Sequence, residues 1–373
     1  AIDDKSSDGS LKVIREFSKI KNFKFIINKK NMGVAKSANR AIMQSKGKYF
    51  IRVDADDFIS KDLLKFMTLY IENNKDILGV ACDYVYINNE GKKLRKISSI
   101  KHPISCGILY NKKKLKTLGY YNNDFKHREE EELRVRLGPK YRLHNLSIPF
   151  YRYRMHKQNK TRSSDYKNKF RSKIETLKIT DKIKKYKLKK NNLNIAVVIP
   201  AKINSRRLKL KNIKKIWGKP MIYWSINAAK NTKIIKNIYV SSESNKILSI
   251  AKKYGAKTIK RPIELSKNTT PKMDVIKHAV NKITKTNKPK IIISLQANSP
   301  NLTSLDLLNG IIDLVKFRKN EIISVNKNLM QNAAFRIMKY KTVFQKGLST
   351  YMGVSINNAI DIHTIKDFKK LNK

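Results

Sequence analysis

Apolar runs of about five residues alternate with longer amphipathic stretches along the chain, and the alternation happens twice. Residues 23–27 read as a strand, 34–44 as a helix, 49–53 as a strand, 63–70 as a helix and 77–87 as extended chain. The rhythm then stops in a Lys-rich stretch of helical character, 166–190, and restarts at the apolar run 195–199. A helix follows over 221–229 with Pro220 near its first turn, then a strand over 237–241. A helix over 246–254 is stopped by Gly255, and another strand covers 290–295. Strand and helix in strict succession predict an α/β fold with mainly parallel sheets and sites at the strand C-termini.

The two rhythms predict two domains, 1–164 and 193–373, joined by a helical, solvated linker over 165–192. A chain of 373 residues is too long for one ordinary core, and 40% apolar content suffices for two. No run approaches the ~20 apolar residues of a membrane span. Cys82 and Cys106 have no spacing that suggests a disulfide or a metal site, and a reducing cytoplasm fits them. Cys82 follows an apolar run and reads as a small core residue. The chain opens on Ala1-Ile2-Asp3-Asp4, without an initiator methionine or signal peptide, which predicts a start inside a longer product.

The net charge is +55, from 83 basic and 28 acidic residues. Lysine is spread along the whole length with abundant Ile and Asn rather than gathered in one patch. That pattern fits an AT-rich coding bias, and nucleic acid is not an expected partner. Attraction to anionic nucleotides, and peripheral contact with an anionic membrane, follow from the same charge.

Two loops carry candidate chemistry. After 195–199 the chain breaks at Pro200 into a loop with Lys202, Ser205, Arg206, Arg207, Lys209, Lys211 and Asn212. Cations, a hydroxyl and backbone N–H groups at a strand end suit a polyphosphate. The strand 49–53 ends instead on Asp54-Ala55-Asp56-Asp57, and carboxylates there suit a divalent cation bound to a diphosphate.

The first half resembles the family 2 glycosyltransferases of GT-A fold, over about residues 1–162. The matching pieces are Asp3-Asp4-Lys5-Ser6-Ser7-Asp8-Gly9-Ser10, Asn31-Met32-Gly33, Gly47-Lys48-Tyr49 and Asp54-Ala55-Asp56-Asp57. The resemblance implies base-side contacts from Asp3 and Asp4, a nucleotide contact from Asp54, and Mg²⁺ or Mn²⁺ on Asp56. It also implies a nucleotide-sugar donor and a glycan acceptor. The run Arg128-Glu129-Glu130-Glu131-Glu132-Leu133 resembles the family's acidic catalytic element and puts the general base at Glu130, where Asp is usual. A solvated acidic turn is the alternative. Tyr151 to His156, with Asn159 and Thr161, resembles the closing lid. The family's first strand and helix have no counterpart before Asp3, so this half is expected to be incomplete.

The second half resembles the acylneuraminate (CMP-sialic acid) cytidylyltransferases. Residues 199–212, Gly218-Lys219-Pro220, Tyr239-Val240-Ser241-Ser242, Arg261-Pro262, Leu295-Gln296-Ala297-Asn298 and Ala359-Ile360-Asp361-Ile362-His363 match in order and spacing. The resemblance implies CTP and an acidic sugar as substrates, a homodimer, and Mg²⁺ on Asp361. Lys202, Ser205, Lys211 and Asn212 would meet the phosphates, with Arg206 and Arg207 as helpers. Ser241 and Arg261 would lie by the cytidine and Gln296 by the sugar, with Lys211 and Asp361 catalytic. Lys202 replaces the usual Arg and loses its planar fork. His363 replaces the second Asp of the family's Asp-x-Asp, leaving Asp367 as another candidate ligand. The segment between Pro300 and Asp361 is shorter than the family's dimerisation and sugar-binding insert.

Taken together, the halves predict a two-activity enzyme of surface-polysaccharide synthesis. Octulosonate activation is the competing enzymatic reading, and a nucleotide-binding scaffold with degenerate sites the non-enzymatic one.

Overall fold

A computed structural model describes residues 1–125, 128–137, 141–156, 164–205, 208–286 and 288–371. The chain divides into two compact units, Ala1–Leu177 and Lys178–Lys373.

In the first unit, β1 (Ile2–Asp3) and β2 (Ile26–Ile27) pair in parallel as a separate two-stranded sheet. A six-stranded sheet follows from β3 (Tyr49–Ile51), β4 (Phe58–Ile59), β5 (Gly79–Ile87), β6 (Lys93–Ile97), β7 (Ile108–Asn111) and β8 (Leu143–Arg154). Its order is β3-β7-β5-β8-β4, with β6 on β5. The central pair β5–β8 is parallel, and the short flanking strands pair antiparallel. β5 and β7 approach closely at Gly79, where a Cβ would stand 2.7 Å from the Leu109 carbonyl oxygen. Helix Leu63–Asn73 buries Leu63, Met67 and Ile71, spaced one helical turn apart, against Val80, Cys82, Tyr84 and Tyr151. Ala35, Ala38 and Ile42 of helix Val34–Gln44 join Ile108, Tyr110 and Leu133 in a second cluster. The β-layer is therefore covered by helices in two separate cores.

The second unit is built on a seven-stranded sheet. Its strands are β9 (Ile195–Pro200), β12 (Asn237–Ser242), β13 (Lys257–Lys260), β14 (Ile291–Leu295), β15 (Glu321–Val325), β16 (Gln331–Lys339) and β17 (Met352–Ile356). A small hairpin of β10 (Lys215–Ile216) and β11 (Lys219–Pro220) stands apart. The order β13-β12-β9-β14-β16-β15-β17 is parallel from β13 to β14, and β16 alone runs against its neighbours. β9 lies in the parallel part and is apolar at consecutive positions because both its faces are covered. Ile195, Val197 and Ile199 pack with helices Met221–Asn231 and Ser304–Lys316, whereas Ala196 and Val198 pack with Lys272–Thr284. The helix at Ser304 starts with a capping box, Thr303 and Asp306 each bonding the other's backbone N–H.

Helix Ser164–Lys185 spans the point where the units divide. Its described side chains are not simply solvated: Ile174 packs on Phe125 in the first unit, and Ile179 belongs to the core of the second. No helix among the described residues is long and apolar enough to cross a membrane.

Candidate active sites of the two units

In the first unit, β3 delivers the acidic loop to the sheet edge, and a turn folds it back, with Asp57 N–H donating to the Asp54 carbonyl at 3.1 Å. Residue 57, not 56, is thereby brought beside Asp54. One Asp54 oxygen lies 3.0 Å from Arg52 Nε, and the other accepts from the Cys106 thiol at 3.1 Å. Asp57 accepts from the Tyr151 hydroxyl at 2.7 Å and the Arg154 N–H at 2.8 Å. Burial pushes its pKa up to about 6, although both hydrogen bonds pull the other way. Asp54, Asp57 and Cys106 offer ligand atoms within 4.8 Å of one another, a group that could hold a metal ion. Asp56, the expected ligand, is instead half-exposed and 2.8 Å from His156 Nε2.

The other acidic residues of this unit are held more tightly. Asp3 is buried and accepts from Ser6 N–H at 3.3 Å. Asp4 receives Asn28 Nδ2 and Met32 N–H on one oxygen and Gly33 N–H on the other, each at 2.8 Å. Burial alone would raise its pKa, but these donors hold it below the usual carboxylate range. Gly33 has φ 82°, a conformation that lets its N–H face Asp4 just before helix Val34–Gln44 begins. Asp4 thus spends both oxygens on the loop that starts the helix.

The acidic run lies on helix Glu129–Leu137, and it is not a solvated turn, because Glu129, Glu130 and Glu132 are buried. Each has an arginine: Arg52 for Glu129 (2.8 Å), Arg134 for Glu130 (3.2 Å) and Arg136 for Glu132 (2.6 Å). Glu130 also accepts from the Tyr110 hydroxyl at 2.7 Å. Burial pushes its pKa up to about 7, against the Arg134 charge and the Tyr110 hydrogen bond. The lid segment is the end of β8, which brings Tyr151 and Arg154 to the carboxylates. Asn159 and Thr161 lie outside the described residues.

In the second unit, the loop after β9 folds back under Asn212, whose Nδ2 donates to the Lys202 carbonyl at 2.9 Å. Lys202 Nζ reaches Asn268 Oδ1 at 2.5 Å, and Lys211 Nζ reaches the Ile362 carbonyl at 3.0 Å. Asn298 Nδ2 donates to the same carbonyl at 2.8 Å and also to Asp361. His363 Nε2 stands 2.9 Å from the other Asp361 oxygen. Burial raises the Asp361 pKa, while the nearby His363 and Lys211 charges oppose the rise. Lys211, Asn298 and Asp361 therefore form one cluster. Asp367 is not part of it, because one of its oxygens accepts from His363 N–H, Thr364 N–H and the Thr364 hydroxyl at the start of helix Ile365–Leu371.

The remaining expected contacts separate into three kinds. Arg261 is buried and paired with Glu243 at 2.8 Å, and Glu243 also accepts from Ile203 N–H and the Ser266 hydroxyl. Burial would raise the Glu243 pKa, but these partners hold it low. Arg261 and Glu243 thus lock the phosphate-type loop from behind. Ser241 is fully buried in β12, and Gln296 is half-buried, its backbone tied to Ala334 and Ser225. Ser205 is partly buried, and Arg206 and Arg207 lie outside the described residues.

Lys272 belongs to no motif that would single it out. Burial pushes its pKa down to about 8, with Asp361 pulling it up and Arg336 down. Arg52, Asp57, Cys106 and Glu243 were also missed, because each also has a partner far along the chain: Glu129 for Arg52, Tyr151 for Asp57, Asp54 for Cys106 and Arg261 for Glu243.

Comparison with known proteins divides the chain at the same place. The family model for Glycosyl transferase family 2 matches residues 1–129, and the model for Cytidylyltransferase matches residues 196–356. One half is similar to the family 2 glycosyltransferases, the other to the cytidylyltransferases. N-acylneuraminate cytidylyltransferase A of Danio rerio is 28% identical over 37% of this chain and 31% of its own length. CMP-N,N'-diacetyllegionaminic acid synthase of Campylobacter jejuni is 40% identical over 23% of this chain and 37% of its own. Poly-beta-1,6-N-acetyl-D-glucosamine synthase of Staphylococcus epidermidis is 31% identical over 33% of this chain and 34% of its own. The chain thus spans about a third of the length of each of these relatives.

Proposed function

We propose that the second unit couples CTP to a nonulosonic, sialic-acid-like sugar, and that the first transfers a sugar from a nucleotide donor to a glycan acceptor. Both steps serve surface-polysaccharide synthesis in the cytoplasm. The observation that carries the first assignment is the joining of Lys211, Asn298 and Asp361 beside the loop that follows β9. In the reaction an anomeric hydroxyl oxygen forms a bond to the α-phosphorus of CTP, the bond to the departing pyrophosphate breaks, and the hydroxyl proton passes to solvent. Lys211 and Lys202 offset the charge that builds on the phosphate oxygens.

A divalent metal fits each unit differently. In the second, Asp361 is a single carboxylate, which suits Mg²⁺ held mainly by phosphate oxygens and water. In the first, Asp54 and Asp57 supply the oxygen ligands that Mg²⁺ or Mn²⁺ prefers. Cys106 does not suit these cations, because burial pushes its thiol pKa up and keeps it protonated. The ion would neutralise a departing nucleoside diphosphate. Glu130 is the proposed acceptor of the hydroxyl proton, since a carboxylate with pKa about 7 is matched to that work near neutrality.

The test is pyrophosphate release from CTP and Mg²⁺ with nonulosonic acids, with octulosonate as the competing substrate. Activity on nonulosonic acids, lowered about 10²–10³-fold by Lys211→Ala, is expected. Preference for octulosonate would reassign the sugar. Release that is identical in Lys211→Ala and Asp361→Ala would remove both residues from the chemistry.

A further inference from the structure

We infer that one face of the first unit docks on an anionic lipid bilayer. Ile59, Phe66, Leu69 and Ile148 come from three separate segments, and all are exposed, from 37% at Ile59 to 60% at Leu69; Phe58, the strand neighbour of Ile59, points to the other side. Backbone and ring contacts bring these segments together. β4 pairs with β8, Phe58 opposite Arg152 and Ile59 opposite Tyr151. Ser60 N–H donates to the Phe150 carbonyl at 2.8 Å, and the Phe66 ring stacks on Phe150 at 5.5 Å. Leu69 lies one helical turn beyond Phe66, and Ile148 two residues before Phe150. Large apolar side chains gathered and exposed in this way mark an interaction surface more often than a solvated one.

The occupant follows from charge. Lys61 and Lys65 are exposed beside these side chains, and Asp62, partly buried at the helix start, is the acid among them. A second copy of a chain with net charge +55 would bring like charges face to face. An anionic headgroup layer instead attracts the cations while the Phe66 ring and Leu69 enter the acyl boundary. The opposite side of β4 meets the carboxylate loop through Arg154. Its guanidinium lies 5.0 Å over the Phe58 ring and donates to the Asp56 carbonyl at 2.9 Å, while its N–H holds Asp57. Given the transferase reading above, the glycan acceptor would be one carried at the membrane surface. The docking itself needs no such reading.

The experiment is sedimentation of the full chain with vesicles of phosphatidylglycerol and phosphatidylcholine, or of phosphatidylcholine alone, at physiological salt. Binding to the anionic vesicles is expected, about tenfold weaker for Phe66→Ser with Leu69→Ser. Lys61→Glu with Lys65→Glu, a second variant that leaves the apolar residues intact, should weaken it similarly. Pyrophosphate release should stay unchanged in both. The inference is overturned by no binding, by binding equal in wild type and both variants, or by a concentration-dependent dimer that the serine variant abolishes. Loss of vesicle binding with catalysis intact would strike the docking alone. Binding without any sugar chemistry would strike the enzymatic reading alone.

Discussion

The two candidate sites present opposite charges. In the first, carboxylates line the loop, and side chains of the same unit hold them: Arg52 lies between Asp54 and Glu129, and the His156 ring against Asp56. In the second, cations line the loop, and neutral oxygens hold them, Lys202 by Asn268 and Lys211 by the Ile362 carbonyl. A carboxylate site can meet a diphosphate only through a metal ion, whereas an ammonium site can meet it directly. The proposed first site should therefore depend on metal absolutely and the second in part.

Three further measurements would break or sharpen that contrast. The largest effect is expected for Arg261→Ala, which leaves the half-buried Glu243 without its ion-pair partner and should destabilise the second unit by about 3 kcal/mol in denaturant titration. An unchanged midpoint would mean that the pair does not lock the loop. Glu130→Gln is expected next, with a difference from wild type of about 1–3 kcal/mol that is fully developed at neutrality and above. The folded pKa of Glu130, about 7, lies above its ordinary value of 4.5, so the stability linked to its proton is fully present below 4.5 and is lost as pH rises from there through 7. Wild type should lose stability over that window and the glutamine variant should not; parallel curves would place the titration elsewhere. The smallest effect belongs to His363→Asp, which supplies a second carboxylate beside Asp361 and should lower the Mg²⁺ concentration for half-maximal pyrophosphate release about fivefold. No change would exclude position 363 from the metal site.

Much of the fold was legible in the chain. The buried strand Ile195–Pro200 reads as an uninterrupted apolar run, and helix Val34–Gln44 begins where Gly33 and its amphipathic pattern place it. The expected parallel arrangement describes β13 to β14 directly; the short strands of the first unit add antiparallel neighbours, which periodicity alone does not distinguish. Among candidate site residues, Lys211 and Asp361 stand out in two loops far apart in sequence, and the fold brings them to one cluster. Asp57 was not, because a turn makes it rather than Asp56 the spatial neighbour of Asp54. The pairs Glu130–Arg134 and Glu132–Arg136 are four residues apart on one helix and were open to inspection. Arg52–Glu129 crosses 77 positions and exists only once the sheet has formed.

Helix Ser164–Lys185 has a practical consequence. A protein engineer who separates the halves by cutting before it takes Ile174 away from Phe125, and one who cuts after it takes Ile179 away from the opposite core. Either fragment would carry a greasy scar and invite aggregation. The clean incision runs through the rod itself, between Leu177 and Lys178.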